Sequence, residues 1–269
     1  MPELRKSRAK HMLQEGKPVI AIQSDSPDEI DLIGSSGTVD VLWSDMELGP
    51  LTWSKLGDFS RACDIWGVTS LVKVNANEPG LIGRALDLGV QGVVVPHVNT
   101  KEEAERAVRA AKYAPVGMRA MGRPRQGYGV PDYFSKANDE TILVVVIEDI
   151  EAVNNLKNIL TVDHIDVFLV APHDLSQTMG AKYLSGTWGQ FHPDVMRVYG
   201  QAVKQIVAAG RVAGVGDTGD SSIEQKMEWG ALYISTSRRP YDAAGGQQFH
   251  DKVAALAKGR QKQQAPTST

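Results

Sequence analysis

Apolar residues along this chain fall into short runs, separated by stretches in which they recur at helical intervals. The runs are Val19–Ser24, Val39–Glu47, Ser70–Asn75, Gly92–Val98, Ile142–Glu148, Asp166–Pro172, Arg211–Gly216 and Ala231–Ser237. Most are continuously apolar rather than alternating, as in strands of a parallel sheet whose outer face is covered. Helical spacing marks Leu51–Trp66, Glu78–Leu88, Lys101–Ala114 and Val195–Ala209. Gly67, Gly89, Gly210 and Gly230 each stand between such a stretch and the next run, where a helix C-cap is expected. Eight βα repeats without a break in composition predict an α/β fold, a closed (β/α)8 TIM barrel, which ordinarily takes about 250 residues. A leading helix near Leu4–Glu15 would cap its bottom. Residues 1–258 read as one barrel domain, and the polar 259–269 as a disordered tail.

Two interruptions stand out. Val116–Gly129 is rich in Gly and Arg and follows the helix at Lys101–Ala114; Gly180–His192 precedes a long helix that starts near Pro193. Long βα loops of a barrel belong to its active-site face. Of the 269 residues, 42% are hydrophobic and 23% charged, and the net charge is −3, which leaves no electrostatic footprint for nucleic acid or an anionic membrane. Cys63, the single cysteine, excludes an intrachain disulfide and a multi-cysteine zinc site, and reads as a small apolar helix residue. The charged N-terminus shows no secretory apolar region, and no apolar stretch nears the ~20 residues that span a bilayer. The default address is a reducing cytoplasm.

Gly214-Val215-Gly216-Asp217-Thr218-Gly219 satisfies GxGxxG between a strand and a helix. It belongs to the seventh strand, lacks an acid about 20 residues on to hold a ribose, and places Asp217 and Asp220 where a pyrophosphate would sit. These features argue against a nicotinamide site and leave the glycines to a tight turn at the barrel rim. Glu148 closes one apolar run and Asp174 directly follows another. At the C-terminal ends of neighbouring strands five and six they form an oxygen site for Mg²⁺ or Mn²⁺, or else they cap helices. Trp43-Ser44-Asp45-Met46-Glu47 ends strand two, and strand periodicity sets Asp45 and Glu47 on one side. Lys73 ends strand three next door, as a counter-charge to those acids and to an anionic substrate, a structural ion pair, or a Schiff-base amine.

Val95-Pro96-His97-Val98, Gly117–Gly122 (GMRAMG), Val146-Ile147-Glu148 and Ala171–Ser176 (APHDLS) together resemble the HpcH/HpaI aldolase family. Glu102–Tyr113, Pro131-Asp132-Tyr133, Lys136–Asp139 and Met179-Gly180 fit in the same order, and the likeness runs from about Val19 to Ser237. The resemblance implies a metal-dependent class II lyase on a phosphoenolpyruvate/pyruvate-type barrel, cleaving 4-hydroxy-2-oxo acids to pyruvate and an aldehyde or running the condensation. It assigns Glu148 and Asp174 as the metal ligands, with Mg²⁺, Mn²⁺ or Co²⁺ as the ion. It places the pyruvate carboxylate at the backbone amides around His173, Asp174 and Leu175, and matches Asp45 and Glu47 to an Asp-Gly-Glu-His motif. It also implies a homo-oligomer, the family often being hexameric.

Three positions depart from the pattern. Leu48 stands where the family has its catalytic histidine, Lys73 where it has a carbonyl-polarising arginine, and Val146 where it has a glutamine. Leucine cannot move a proton, and lysine lacks the guanidinium fork. His97 and His173, at strand ends, and Glu47 are the candidates for the lost proton-transfer role, set against plain rim residues. Arg119, followed by Arg123 and Arg125, is a candidate for a second substrate carboxylate, against a solvated loop cation. His11, His164, His192 and His250 read as structural or exposed. The expected activity is an aldolase-type carbon–carbon lyase acting on a small 2-oxo acid and an aldehyde through a pyruvate enolate. An oxaloacetate-type decarboxylase and a binding paralogue without aldolase activity are the alternatives.

Overall fold

The computed structural model describes residues 3–216, 222–236 and 245–264. Eight parallel strands close into a barrel in chain order: β1 Val19–Gln23, β2 Val41–Asp45, β3 Thr69–Lys73, β4 Gly92–Val95, β5 Ile142–Ile147, β6 Val167–Val170, β7 Ala213–Gly216 and β8 Tyr233–Thr236. Seven of the eight apolar runs contain a strand whole, and the third, Ser70–Asn75, overlaps one that starts a residue earlier. The helices are α1 Arg8–Gln14, α2 Pro27–Gly34, α3 Trp53–Ile65, α4 Pro79–Asp87, α5 Lys101–Ala111, α6 Tyr133–Glu140, α7 Ile150–Ile159, α8 Pro172–Met179, α9 Pro193–Ala208, α10 Ile223–Glu228 and α11 Gly245–Gln264. The strands are shorter than their apolar runs because the ladder stops where the chain turns at the rim. Pro96 and Pro172, just past β4 and β6, have no N–H to continue it. Helix α11 runs six residues beyond the boundary set at Lys258, while 265–269 lie outside the described residues.

Two apolar layers hold the barrel. Its interior is filled by inward residues of the strands, among them Val19, Val41, Leu71, Val94, Val144, Val146 and Tyr233. The outward residues, such as Ile20, Leu42, Val72, Val93, Val145 and Phe168, form a larger core with the helices. This division is the period of two acting on strands buried on both faces. A Cβ on Gly92 would lie 2.2 Å from both the carbonyl oxygen and Cγ2 of Ile142, so only glycine lets β4 meet β5. Gly214 has a similar task inside β7, its Cβ position lying 2.9 Å from Val167 Cγ1 and 3.1 Å from Leu169 Cα. The sequence reading gave it to a rim turn; it serves close strand packing instead, and residues 217–219 of that motif fall outside the described residues. The four expected C-cap glycines all take left-handed φ, from 64° to 106°. Thr100 and Glu103 form a reciprocal capping box that starts α5.

Helix α1 closes the bottom of the barrel. Ala9 N–H donates to Thr69 Oγ1, Ser7 N–H to Glu140, and the Lys10 ammonium to the carbonyls of Asn138 and Thr141. Among the described residues no helix is long and apolar enough to cross a membrane.

Candidate active site

At the opposite end, the C-terminal tips of the strands surround a cleft of about 1050 Å³. Its floor is Glu148, the residue after β5, which is 1% exposed. Glu148 Oε1 accepts from the backbone N–H of His97 at 2.9 Å, and Oε2 lies 3.5 Å from Lys73 Nζ. Lys73, the last residue of β3, reaches Glu47 Oε2 at 2.5 Å. Glu47 Oε1 in turn lies 3.3 Å from His97 Nε2, and His97 Nδ1 lies 2.9 Å from Asp149 Oδ2. Five side chains from the ends of β2, β3, β4 and β5 thus form one continuous chain: Asp149, His97, Glu47, Lys73, Glu148.

Local backbone chemistry sets up this chain. Strand β2 stops at Asp45, whose Oδ1 accepts from the N–H groups of Glu47 at 2.8 Å and Leu48 at 3.1 Å. That Asx-type turn swings Glu47 toward Lys73. Strand periodicity had placed Asp45 and Glu47 on one strand face; Asp45 instead shapes the turn, and Glu47 carries the contact. Leu48, at the position where the resemblance leads one to expect a histidine, is 83% exposed. His97 adopts a left-handed backbone, φ 50°, an unusual state for a residue with a Cβ. It is held there by its two bonds to Glu148 and Asp149. Asp149 occupies the N-cap position of α7, yet its carboxylate makes no cap bond and is spent on His97.

Burial alone would lower the protonation range of the Lys73 ammonium, but Glu148, Glu47 and Asp45 outweigh it and hold the ammonium more firmly than in a free lysine. That disfavours the free amine a Schiff base needs. Burial likewise would lower His97; the bond to Asp149 and the charges of Glu148, Asp149 and Glu47 carry it above the ordinary histidine range. Glu148 is raised by burial, opposed by Lys73 and His97 and reinforced by the nearby charge of Asp174.

Asp174 lies in the first turn of α8 and lines the same cleft. Two carboxylates lining one cleft are donors that suit a cation. Among the described residues no group of three or more His, Cys, Asp or Glu side chains is arranged to hold a metal. A two-carboxylate set with open cleft beside it fits a hard divalent ion that keeps waters and takes substrate oxygens. The residues present therefore fit such an ion, with Glu148 and Asp174 as the residues that would hold it.

His173, before Asp174, stacks on Trp188 with centroids 4.3 Å apart at 24°, and meets Phe191 edge-on at 4.8 Å and 79°. Burial lowers its protonation range against the pull of Asp174, and its Nε2 is buried without a hydrogen-bond partner. Trp188 and Phe191 belong to the 180–192 loop, which lies on the active-site face as its place after β6 and α8 implies.

Arg119 requires a correction. Its loop follows helix α5 and precedes β5, which sets it at the N-terminal face, away from the cleft. The guanidinium is 5% exposed as part of its residue, bonds Asp87 Oδ1 at 2.6 Å and lies over the Tyr113 ring. It is a structural residue, not a substrate contact in this chain. Asp149, Asp25 and the Trp188–Phe191 wall escaped the sequence reading. Asp149 had one legible signal, an acid beside a metal-ligand candidate at a helix start. Asp25, which accepts from Ser44 Oγ at 2.6 Å, had none.

Comparison with known proteins agrees with this fold. The sequence profile of the family described as HpcH/HpaI aldolase/citrate lyase matches residues 22–233. A 4-hydroxy-2-oxo-heptane-1,7-dioate aldolase of Shigella boydii is 33% identical over 232 residues, covering 84% of this chain and 86% of that protein. A 2-keto-3-deoxy-L-rhamnonate aldolase of Klebsiella pneumoniae is 33% identical over 207 residues, 76% of each. The crystal structure of an HpcH/HpaI aldolase from Desulfitobacterium hafniense superposes with a TM-score of 0.74 over 97% of this chain and 98% of that one, at 23% identity.

Proposed function

The chain belongs to the HpcH/HpaI aldolase/citrate lyase family, and from that premise we propose how its altered site makes and breaks a carbon–carbon bond. It is a lyase of the aldolase type acting on a 2-oxo acid. In our reading the bond is C3–C4 of a 4-hydroxy-2-oxo acid, and cleavage leaves the enolate of pyruvate and an aldehyde. The observation that carries the reading is a cleft lined by Glu148, Asp174 and Lys73, behind which Glu47, His97 and Asp149 extend the chain of charged contacts from Lys73.

Glu148 and Asp174 hold a divalent cation, Mg²⁺ or Mn²⁺ by donor chemistry, with Co²⁺ tolerated. When bound, that ion supplies electrostatic stabilisation of the charge that develops on the 2-oxo oxygen. Lys73 sets an ammonium beside Glu148, the position from which it offsets the same charge. The amides of His173, Asp174 and Leu175, at the start of α8, point where the substrate carboxylate binds. His97 takes the proton-transfer role for which Leu48 has no group: held protonated between Asp149 on Nδ1 and Glu47 on Nε2, it acts as the acid that gives the proton to the aldehyde oxygen on condensation. Glu47 holds the Nε2 side in register with Lys73. Asp45 contributes by shaping the turn that presents Glu47. We place the enzyme in the cytoplasm as a homo-oligomer.

The test is to strip the protein of metal, titrate with Mg²⁺, Mn²⁺ and Co²⁺, and follow oxaloacetate decarboxylation and pyruvate–aldehyde condensation. Metal-dependent turnover that disappears in Glu148→Gln and Asp174→Asn is expected. Metal-independent turnover, or turnover unaffected by both substitutions, sinks the proposal. Decarboxylation without condensation in the wild type would favour the decarboxylase alternative, since that reaction needs the enolate and no alcohol-deprotonating base.

A further inference from the structure

Resting on the enolate reading, we propose that the outer half of the cleft receives an uncharged aromatic aldehyde, so that the partner of pyruvate is planar and apolar. A cleft of about 1050 Å³ is far larger than a three-carbon acid fills. What lines the remainder is specific. The Trp188 indole lies flat on His173 and is 87% exposed, so its second face is open beside the cleft it lines. Phe191 braces the stack edge-on, and the exposed Leu48 and Leu184 line the same space. An indole held by a stacked imidazole is a rigid platform on which a second ring gains roughly two- to tenfold in affinity beyond its area burial.

The charges point the same way. Asp25, Glu29, Asp45 and Asp174 line this cleft, and Lys73, the one lysine or arginine lining it among the described residues, is engaged by Glu47 and Glu148. An aldehyde bearing a second carboxylate would enter a field of its own sign. Arg119, which the sequence offered for such a carboxylate, is bonded to Asp87 at the other end of the barrel. With an aromatic partner the condensation balances without any co-reactant. Pyruvate C3 gives up a proton and attacks the aldehyde carbon, the aldehyde oxygen takes up a proton, and the 4-aryl-4-hydroxy-2-oxobutanoate holds every atom of both. Cleavage breaks the same C3–C4 bond in reverse.

The experiment compares benzaldehyde with succinic semialdehyde as partners of pyruvate, with Mn²⁺ present, and measures oxaloacetate decarboxylation separately as the readout of the enolate half. The wild type is expected to favour benzaldehyde at least tenfold in kcat/KM. Trp188→Ala should shrink that ratio roughly tenfold, and Trp188→Phe should restore most of it. If oxaloacetate is decarboxylated but succinic semialdehyde is preferred, neither aldehyde condenses, or the ratio is unmoved in Trp188→Ala, the aromatic subsite is refuted while the enolate chemistry stands. If the wild type turns over neither oxaloacetate nor any pyruvate–aldehyde pair, the enolate reading falls and takes the subsite with it.

Discussion

Replacing His97 by glycine and by alanine separates two properties of this residue that the structure ties together. His97 has φ 50°, a conformation that costs a residue with a Cβ about 1–2 kcal/mol. Glycine removes that strain but returns about 0.5–1 kcal/mol through the extra freedom of its unfolded chain. Both substitutions lose the imidazole's ion pairs with Asp149 and Glu47, together worth about 1 kcal/mol because the His97 side chain is 45% exposed. The backbone N–H bond to Glu148 survives in both. His97→Gly should therefore lie within about 1 kcal/mol of the wild type, and His97→Ala about 1 kcal/mol below the glycine variant. Urea unfolding followed by circular dichroism measures the difference. Activity should follow the imidazole alone: both variants lose 10²- to 10⁴-fold in kcat for condensation, the range that positioned proton transfer supplies. A glycine variant as stable as the wild type and equally active would show that the imidazole carries no proton. A glycine variant less stable than the alanine one would show that the left-handed turn stores no strain.

Three further outcomes are expected. Arg119→Met should lower stability by about 1.5–3 kcal/mol through loss of the charged bond to Asp87, yet leave kcat/KM within twofold for every aldehyde; a selective loss for one aldehyde would return Arg119 to the substrate. Gly92→Ala should cost at least about 2–3 kcal/mol in denaturant unfolding because its Cβ meets the Ile142 backbone, and a change below 1 kcal/mol would mean β4 and β5 can separate freely. The third concerns pH. Burial, with the neighbouring Lys10 ammonium and against the pull of Asp166, lowers Lys112 from 10.5 to about 7 in the fold. Between those values the unfolded chain binds the extra proton, so stability should rise with pH there, by up to about 1.4 kcal/mol per unit. Lys112→Met removes that slope, and a wild type whose unfolding free energy is flat or falling relative to Lys112→Met from pH 7 to 9.5 contradicts the assignment.

The barrel was legible because its signals are local and redundant. Each strand is a continuous apolar run, and the glycines at 67, 89, 210 and 230 each mark a helix end that needs left-handed backbone. Glu148, Asp174, Lys73 and Glu47 were legible as charges at strand ends, where a closed barrel gathers them. His97 was legible as a residue, but its partner Asp149 was not, because a helix-start acid ordinarily bonds its own backbone. Arg119 misled because a loop rich in arginine looks functional from composition. Only its order in the chain, after a helix and before a strand, tells which face it occupies. The Trp188–His173 stack spans fifteen positions of irregular loop, and no periodicity relates two such residues.

The clasp that α1 forms across the bottom of the barrel bears on how the protein is made. Lys10 is synthesised well before its partners: the Thr141 carbonyl it bonds lies 131 positions later and Asp166, 3.2 Å from its ammonium, later still. At about 5–20 residues per second, Thr141 follows by roughly 7–26 s. Through that interval the α1 segment lacks the partners that bury Ala9, Lys10 and Leu13 in the finished barrel. Translation speed between Lys10 and Thr141 then sets how long α1 waits for the partners that fix it.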